Sequence, residues 1–370
     1  MTTDDERRIL ILKAKSYTRY SDKRSAVPMS SQTHNNQDLH FDADFFQQNL
    51  PQHYRSVLSS FQEISRSFIL FHIVFLSTIA IEMTTLIGCL SIFNQSVLLA
   101  AGLGALFLTI FSYLILLFYQ QAKKPEQLQS LLNNFLNSCK STIGLPEGIA
   151  QHHLSIAGTL LKLSSYLQDR EWEFSRLYLL RPISKLAKES YKRDVFRLQQ
   201  LLLHAAVDEH LKQIRITPTD LEVHASLAGT YINLSQLYKA PKTTDGLYAK
   251  HEMIFDEKFK IASSLAIEEF EILSQYAPND PWIHEQLAEG YRNLDLFDKE
   301  IQEVEILLQL KPHDRDILHR LGTLYFAQNF NAKGLKIYEE LKQSNFKRAE
   351  ELIASYGKAT HAQNLAPIGF

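Results

Sequence analysis

The sequence predicts an all-α chain: an apolar two-helix hairpin of membrane-spanning length, followed by stacked helix pairs. Three observations carry this reading. Two apolar runs lie almost end to end in residues 68–119, similar residues recur 34 positions apart in the C-terminal third, and no segment shows the alternation of a strand.

Residues 1–40 are polar, with Ser, Thr, Asn and Gln clustered around Ser30–Gln37. So little apolar surface cannot offset the entropy of ordering it, which predicts a disordered tail. Its one short apolar run, Ile9–Leu12, does not reach the roughly 7–15 apolar residues of a secretory leader. Residues 41–67 form an amphipathic juxtamembrane segment. From Tyr54, the side chains Val57, Leu58, Phe61 and Ile64 recur at helical spacing, and Pro51 suits a helix start. Such a helix lies at a membrane surface or runs into the first span.

Residues 68–119 are the hairpin. Phe68–Phe93 and Val97–Tyr119 hold 26 and 23 residues, and crossing a hydrocarbon core takes about 20. Only Asn94, Gln95 and Ser96 separate them, so the helices run antiparallel and both ends lie on one side. Arg55, Arg66, Lys123 and Lys124 flank the spans and the loop has no cation, which predicts both termini in the cytoplasm. Tyr113 and Tyr119 suit an interfacial belt. Glu82 and His72 are the intramembrane polar residues. A carboxylate at mid-span costs about 3 kcal/mol, and folding the hairpin about its loop brings Glu82 opposite Phe107 and near Thr109. A protonated Glu82 bonded to Thr85 or Thr109, or a contact within a homo-oligomer held through the hairpin, is favoured over a channel or transporter role. The same folding brings Gly88 to Ala101, near Gly102 and Gly104, small residues that let backbones approach.

Residues 120–218 read as membrane-proximal helices. Leu128, Leu131, Leu132, Phe135, Leu136 and Cys139 make one stripe, stopped by Gly144 and Pro146; Ile149–Leu167 makes a second helix. Pro182 breaks the next stretch and Val195–Ile214 follows. This region has 14 Lys/Arg against 9 Asp/Glu, whereas residues 250–350 have 13 against 19, so the chain is basic near the hairpin and acidic far from it.

Residues 219–357 carry the repeat, before a short tail at 358–370. Leu287-Ala288 and Tyr291 return as Leu321-Gly322 and Tyr325, and Pro278 returns as Pro312, each shifted by 34. An earlier unit starts at Leu227-Ala228-Gly229-Thr230-Tyr231, with its second helix from about Ile254 after an insertion near Lys239–Lys250. A further echo matches His153–Leu160 to His224–Tyr231, 71 residues apart, which reads as a degenerate repeat within 146–218. These residues resemble the tetratricopeptide (TPR) family over about 220–345, with two departures: Glu300 stands where a small residue is usual, and Phe346 where Pro is expected. Lys347–Tyr356 reads as a capping helix. The resemblance implies a solenoid whose first helices line a concave groove, with Ala225, Gly229, Glu285, Glu289, Arg292, His319 and Phe326 in its wall. Chaperone-binding members clamp a peptide carboxylate with Lys, Asn and Arg; Glu285 and Glu289 in that wall instead imply a basic or mixed peptide, or a folded protein partner.

No catalytic constellation is present, so the sequence argues against an enzyme, and it implies no cofactor and no metal. His204 and His210 are ligand types, but six residues apart is a poor same-face spacing on a helix. Of His152-His153, one is expected solvated and one packed. Two cysteines, Cys89 and Cys139, make no disulfide framework. Nucleic-acid binding needs a coherent basic face with aromatics, which the pattern lacks. The main expectation is a membrane-anchored scaffold binding a protein partner at the cytoplasmic face. The hairpin layout alone also resembles the chlamydial inclusion membrane proteins, which implies an effector exposing its tails to a host cytosol.

Overall fold

The computed structural model describes residues 43–88, 96–145, 149–169, 181–239, 252–354 and 356. The predicted tails, Cys89 and the Asn94-Gln95 part of the loop lie outside them. Among the described residues there are eleven α-helices and no strand.

The first two helices, α1 (Ala43–Gly88) and α2 (Ser96–Ile143), run well beyond the apolar runs. Pro51 does not start a helix; it lies inside α1, as Pro125 lies inside α2. An interior proline forfeits a hydrogen bond at a cost of about 3 kcal/mol. Burying one large apolar side chain returns about 1.5–3 kcal/mol. Leu50, Val57, Leu58 and Phe61 are buried around Pro51, and Leu128, Leu131, Leu132 and Phe135 beyond Pro125, so packing outweighs the defect.

These buried residues define a stem that joins α3 (Ala150–Asp169) and α4 (Arg181–Ile216). Tyr54 stacks toward Phe135 and donates to the Thr159 carbonyl at 3.3 Å, and Phe61 meets Tyr191 at 5.6 Å between ring centroids. Helix α4 begins at Arg181, so Pro182 sits in its first turn, where its missing N–H is no loss. Beyond the stem is the tip of the hairpin. Between Ile69 and Lys124 no described residue is buried.

The remaining helices stack in chain order: α5 (Leu221–Lys239), α6 (Glu252–Tyr276), α7 (Pro281–Asn293), α8 (Phe297–Leu310), α9 (Arg315–Ala327), α10 (Asn331–Gln343) and the short α11 (Ala349–Ile353). Each packs on its sequence neighbours, the pattern of a TPR-like α-solenoid. The starts of α7 and α8 recur 34 residues later as those of α9 and α10. Asp280 and Asp314 cap α7 and α9 through their carboxylates. The turns repeat as well. Asp295, Asn329 and Asn345 take left-handed φ of 57°, 62° and 53°, the conformation that Asn and Asp tolerate best after Gly. The next residue closes each turn: Leu296, Phe330 and Phe346 donate their N–H to the carbonyls of Tyr291, Tyr325 and Leu341 at 2.9, 2.8 and 3.1 Å.

Close packing explains two repeat glycines. A Cβ on Gly322 would lie 2.8 Å from Leu352 and 2.9 Å from Ile337; one on Gly334 would strike the Phe326 ring at 2.4 Å. The cap over the last unit is α11, shorter than the predicted Lys347–Tyr356, with Ala349 and Leu352 buried.

Candidate functional site

Glu285 and Glu289 are one turn apart on α7 and so share a face. Glu285 is half-buried and Glu289 exposed, and neither forms a hydrogen bond or ion pair with a described residue. His319 takes the place of Glu285 one repeat later, half-buried and 6.1 Å from the Phe346 ring. Burial, with Arg348 nearby, lowers its pKa below the ordinary histidine value.

Two predicted wall residues are structural instead. Phe326 is 1 % exposed. Gly334, without a Cβ, admits its ring against α10, and Tyr356 covers it edge-on at 5.5 Å. Arg292 is exposed on one side, but its Nε and Nη2 donate to Glu300 Oε1 at 2.8 and 2.7 Å, while Arg320 Nη2 donates to the same oxygen at 2.9 Å. Glu300 is fully buried. The carboxylate that displaces the usual small residue is thus held between cations from two successive units, which a buried charge requires.

No protein-family model matches the sequence, and no curated protein matches it. Among solved structures, one titled "MamA RS-1 ArsTM double mutant" aligns at 14 % identity over 58 % of this chain and 96 % of that one, with a TM-score of 0.26. Two structures of the human IFIT1 dimer, with PPP-AAAA and with m7Gppp-AAAA, align at 14 % and 16 % identity. They cover 88 % of this chain and 87 % and 88 % of theirs, each with a TM-score of 0.30. Scores below 0.5 carry no argument for a shared arrangement, so the solenoid rests on the chain's own repeated contacts.

Sequence reasoning missed the most regular of those contacts. His153, His224 and His284 each place Nδ1 on a second-helix carboxylate: Glu209 at 2.6 Å, Glu269 at 2.6 Å and Glu303 at 2.7 Å. In the last two, Nε2 also faces a carbonyl, Pro218 at 3.0 Å and Pro278 at 2.8 Å. Burial works against the charged ring of His224, but the bonds to Glu269 and Pro218 hold its pKa above the ordinary 6.5. In the last unit the pair becomes Leu318 and Ile337, both buried. Through His153 and Glu209, α3 and α4 make the same kind of contact as the later pairs. Tyr291 and Tyr325 likewise donate to Glu271 and Glu305, with Lys299 and Lys333 each 5.0 Å over the rings.

His152, expected to be solvated if His153 packed, is buried beside it. His204 and His210 go to separate partners, the Tyr238 hydroxyl at 3.1 Å and Ser226 at 3.2 Å. Burial lowers His210 to about 4, so it stays neutral.

Two polar residues of the tip, Glu82 and His72, pair across the hairpin. Thr109 donates to Glu82 Oε1 at 2.8 Å, and His72 bonds the Tyr113 hydroxyl at 2.9 Å. Thr85 bonds backbone carbonyls and not the Glu82 carboxyl. Gly102 packs against Leu86, where a Cβ would lie at 3.2 Å, whereas Gly88 and Gly104 face open space.

Proposed function

We propose that the chain is a membrane-anchored TPR-like scaffold, with the hairpin tip in the bilayer and Glu285 and Glu289 in the wall that holds a protein partner. One observation carries the anchoring. Among the described residues none of the apolar side chains from Leu70 to Ile87 and from Val97 to Tyr119 is buried, and several are more than half exposed. At 1.5 Å per residue these stretches rise about 26 and 33 Å, bracketing the roughly 30 Å of a hydrocarbon core. A core helix of a soluble protein would be buried over its most apolar stretch. Here 11 % of that stretch is buried in α1 and none in α2. Because the tip pairs antiparallel, both tails then lie on one face, and the flanking cations other than the ion-paired Lys124 favour a cytoplasmic face.

The partner side rests on Glu285 and Glu289, wall carboxylates that share a face and have no hydrogen bond or ion pair with a described residue. Unpaired acids on a repeat face suit a segment bearing Lys or Arg, in a basic peptide or on a folded protein.

Two measurements test this reading. Cysteines placed at Asp22 and Thr360 are expected to label alike with an impermeant reagent in sealed vesicles; opposite labelling ends the hairpin assignment. Reversing Glu285 and Glu289 to Lys is expected to leave melting unchanged within about 0.5 kcal/mol and to release partners recovered with the membrane-purified protein. Retention of every partner removes the wall assignment and leaves the anchor standing.

A further inference from the structure

The hairpin and the solenoid meet at a buried ion pair. Lys124 Nζ lies 2.5 Å from Asp194 Oδ2 and 3.3 Å from the Ser190 hydroxyl, and sits 4.0 Å over the Phe68 ring. Lys124 is therefore no free flanking cation, as its place beside the span suggests; it clasps α2 to α4. Burial raises the Asp194 carboxyl and lowers the Lys124 ammonium, and their mutual contact opposes both shifts. In charge the two cancel.

What the clasp leaves uncompensated is positive. Arg193 and Arg197, one turn apart on the exposed side of α4, lie in the field of the pair, and neither bonds a described residue. On α2, Lys123 is exposed next to Lys124 and lies 5.6 Å over the Tyr119 ring. On α1 the charges of Glu63 and Arg66 offset each other. The acid nearest on α2 is Glu126, further from the tip. Residues 181–197 hold six Lys/Arg against only Glu189 and Asp194, and the clasp consumes Asp194.

The level of these cations decides what they meet. Phe68, under the Lys124 ammonium, is followed after Ile69 by Leu70, which is 58 % exposed; Tyr119, under Lys123, is 56 % exposed. The outward-facing apolar band thus begins within about a turn of the clasp. We propose that Lys123, Arg193 and Arg197 form a collar that binds the phosphates of anionic phospholipids where the hairpin leaves the bilayer. This rests on the membrane reading of the hairpin. Arginine suits the role because its planar fork can hold a phosphate through two parallel bonds. A polybasic segment at that depth gains about fivefold in partition per cation toward an anionic leaflet. RNA would engage the same charges, but the adjoining apolar band and the interfacial tyrosine favour lipid.

The full chain is reconstituted into mixed vesicles of phosphatidylcholine and phosphatidylglycerol, solubilised, and the co-purified lipid analysed. The wild type is expected to retain phosphatidylglycerol above its share in the vesicle. The Lys123→Gln/Arg193→Gln/Arg197→Gln variant is expected to lose at least about fivefold of that enrichment with helical melting unchanged. As a charge-matched control, Lys260→Gln/Lys299→Gln/Lys333→Gln removes three exposed cations from the array and is expected to keep it. Resistance to carbonate extraction from pure phosphatidylcholine vesicles separates the two readings. A wild type that inserts without enrichment overturns the collar alone, and failure to insert overturns both. Enrichment that survives the collar variant, or labelled RNA bound by the wild type without lipid enrichment, also overturns the collar.

Discussion

The hairpin tip and the helical array are built from the same material and fold it in opposite senses. The array has a buried apolar core: Leu287 is 2 % exposed and Leu341 fully buried. In the tip no described apolar side chain is buried, and Phe107 is 70 % exposed. Along α1 the change takes one step, from Ile69 at 8 % to Leu70 at 58 %. Polar groups follow the same division. The array holds His–Glu and Arg–Glu pairs between helices, whereas the tip pairs Glu82 with Thr109 and His72 with Tyr113 across the hairpin and turns Ser77, Thr78, Thr84 and Thr85 onto carbonyls of their own helix. The contrast is the one the proposed membrane anchoring expects: water rewards burying apolar surface within the chain, and hydrocarbon does not.

The sharpest way to break that comparison is to remove an aromatic ring from each region. Phe326→Ala is expected to destabilise the array by about 3–5 kcal/mol, through lost burial and the cavity left beside Gly334. Phe107→Ala is expected to leave the array's unfolding in detergent unchanged. Equal losses in the two variants would mean that the tip is packed against protein.

Next in size is the buried carboxylate. Arg292→Ala removes one of two cations from Glu300, and because Arg292 is half exposed and Arg320 remains, a loss of about 1–2 kcal/mol is expected. A loss no larger than that of a free surface residue would return Arg292 to the partner-binding wall.

A pH series sharpens the account of the array. His224 has its pKa raised, so its contribution is complete below the ordinary 6.5 and is lost as pH rises through the higher folded value. Burial opposes the ionised form of Glu209, but the bonds from Lys212 and His153 leave its pKa lowered. Its contribution is complete above the ordinary 4.5 and is lost as pH falls through the lower folded value. Burial lowers the pKa of His204, His210 and His319, so their contributions change with pH in the opposite sense to that of His224. The useful quantity is therefore the melting temperature of the wild type minus that of His224→Gln. That difference is expected to hold at acidic pH and shrink above 6.5. A difference flat across neutrality would show that His224 does not gain from its charge.

The smallest expected effect lies in the tip. Glu82→Leu replaces the bond from Thr109, of a class measured at about 0.6 kcal/mol between helices in membranes. The variant is expected to insert as well as the wild type or better. Failure to insert would show that the carboxyl is required and revive a transport role for Glu82.

Several contacts could be read from the residues because local chemistry leaves one solution. A loop of three residues between two long apolar runs permits only an antiparallel pair, so Glu82 near Thr109 followed from counting. The spacing of Tyr291 and Tyr325 placed them at equivalent buried positions for the same reason. The His–Glu pairs escaped because the insertion breaks their period: His224 and His284 are 60 apart, whereas Glu269 and Glu303 are 34 apart. The turn signal was also in view, in Asp295, Asn329 and Asn345 each followed by Leu or Phe.

What the sequence determined by itself is therefore the helix content, the hairpin and the period of the array, because these depend on residues within a few turns of each other. The fate of particular side chains was decided by partners distant in the chain. Lys124 reads as an interfacial cation until Asp194, 70 residues on, draws it into the stem. Phe326 occupies a groove-lining position until a missing Cβ on Gly334 opens space on the next helix. Glu300 reads as a defect until Arg292 and Arg320 converge on one of its oxygens. Burial is a property of the assembled surface, and no local pattern specifies which neighbour will arrive to cover it.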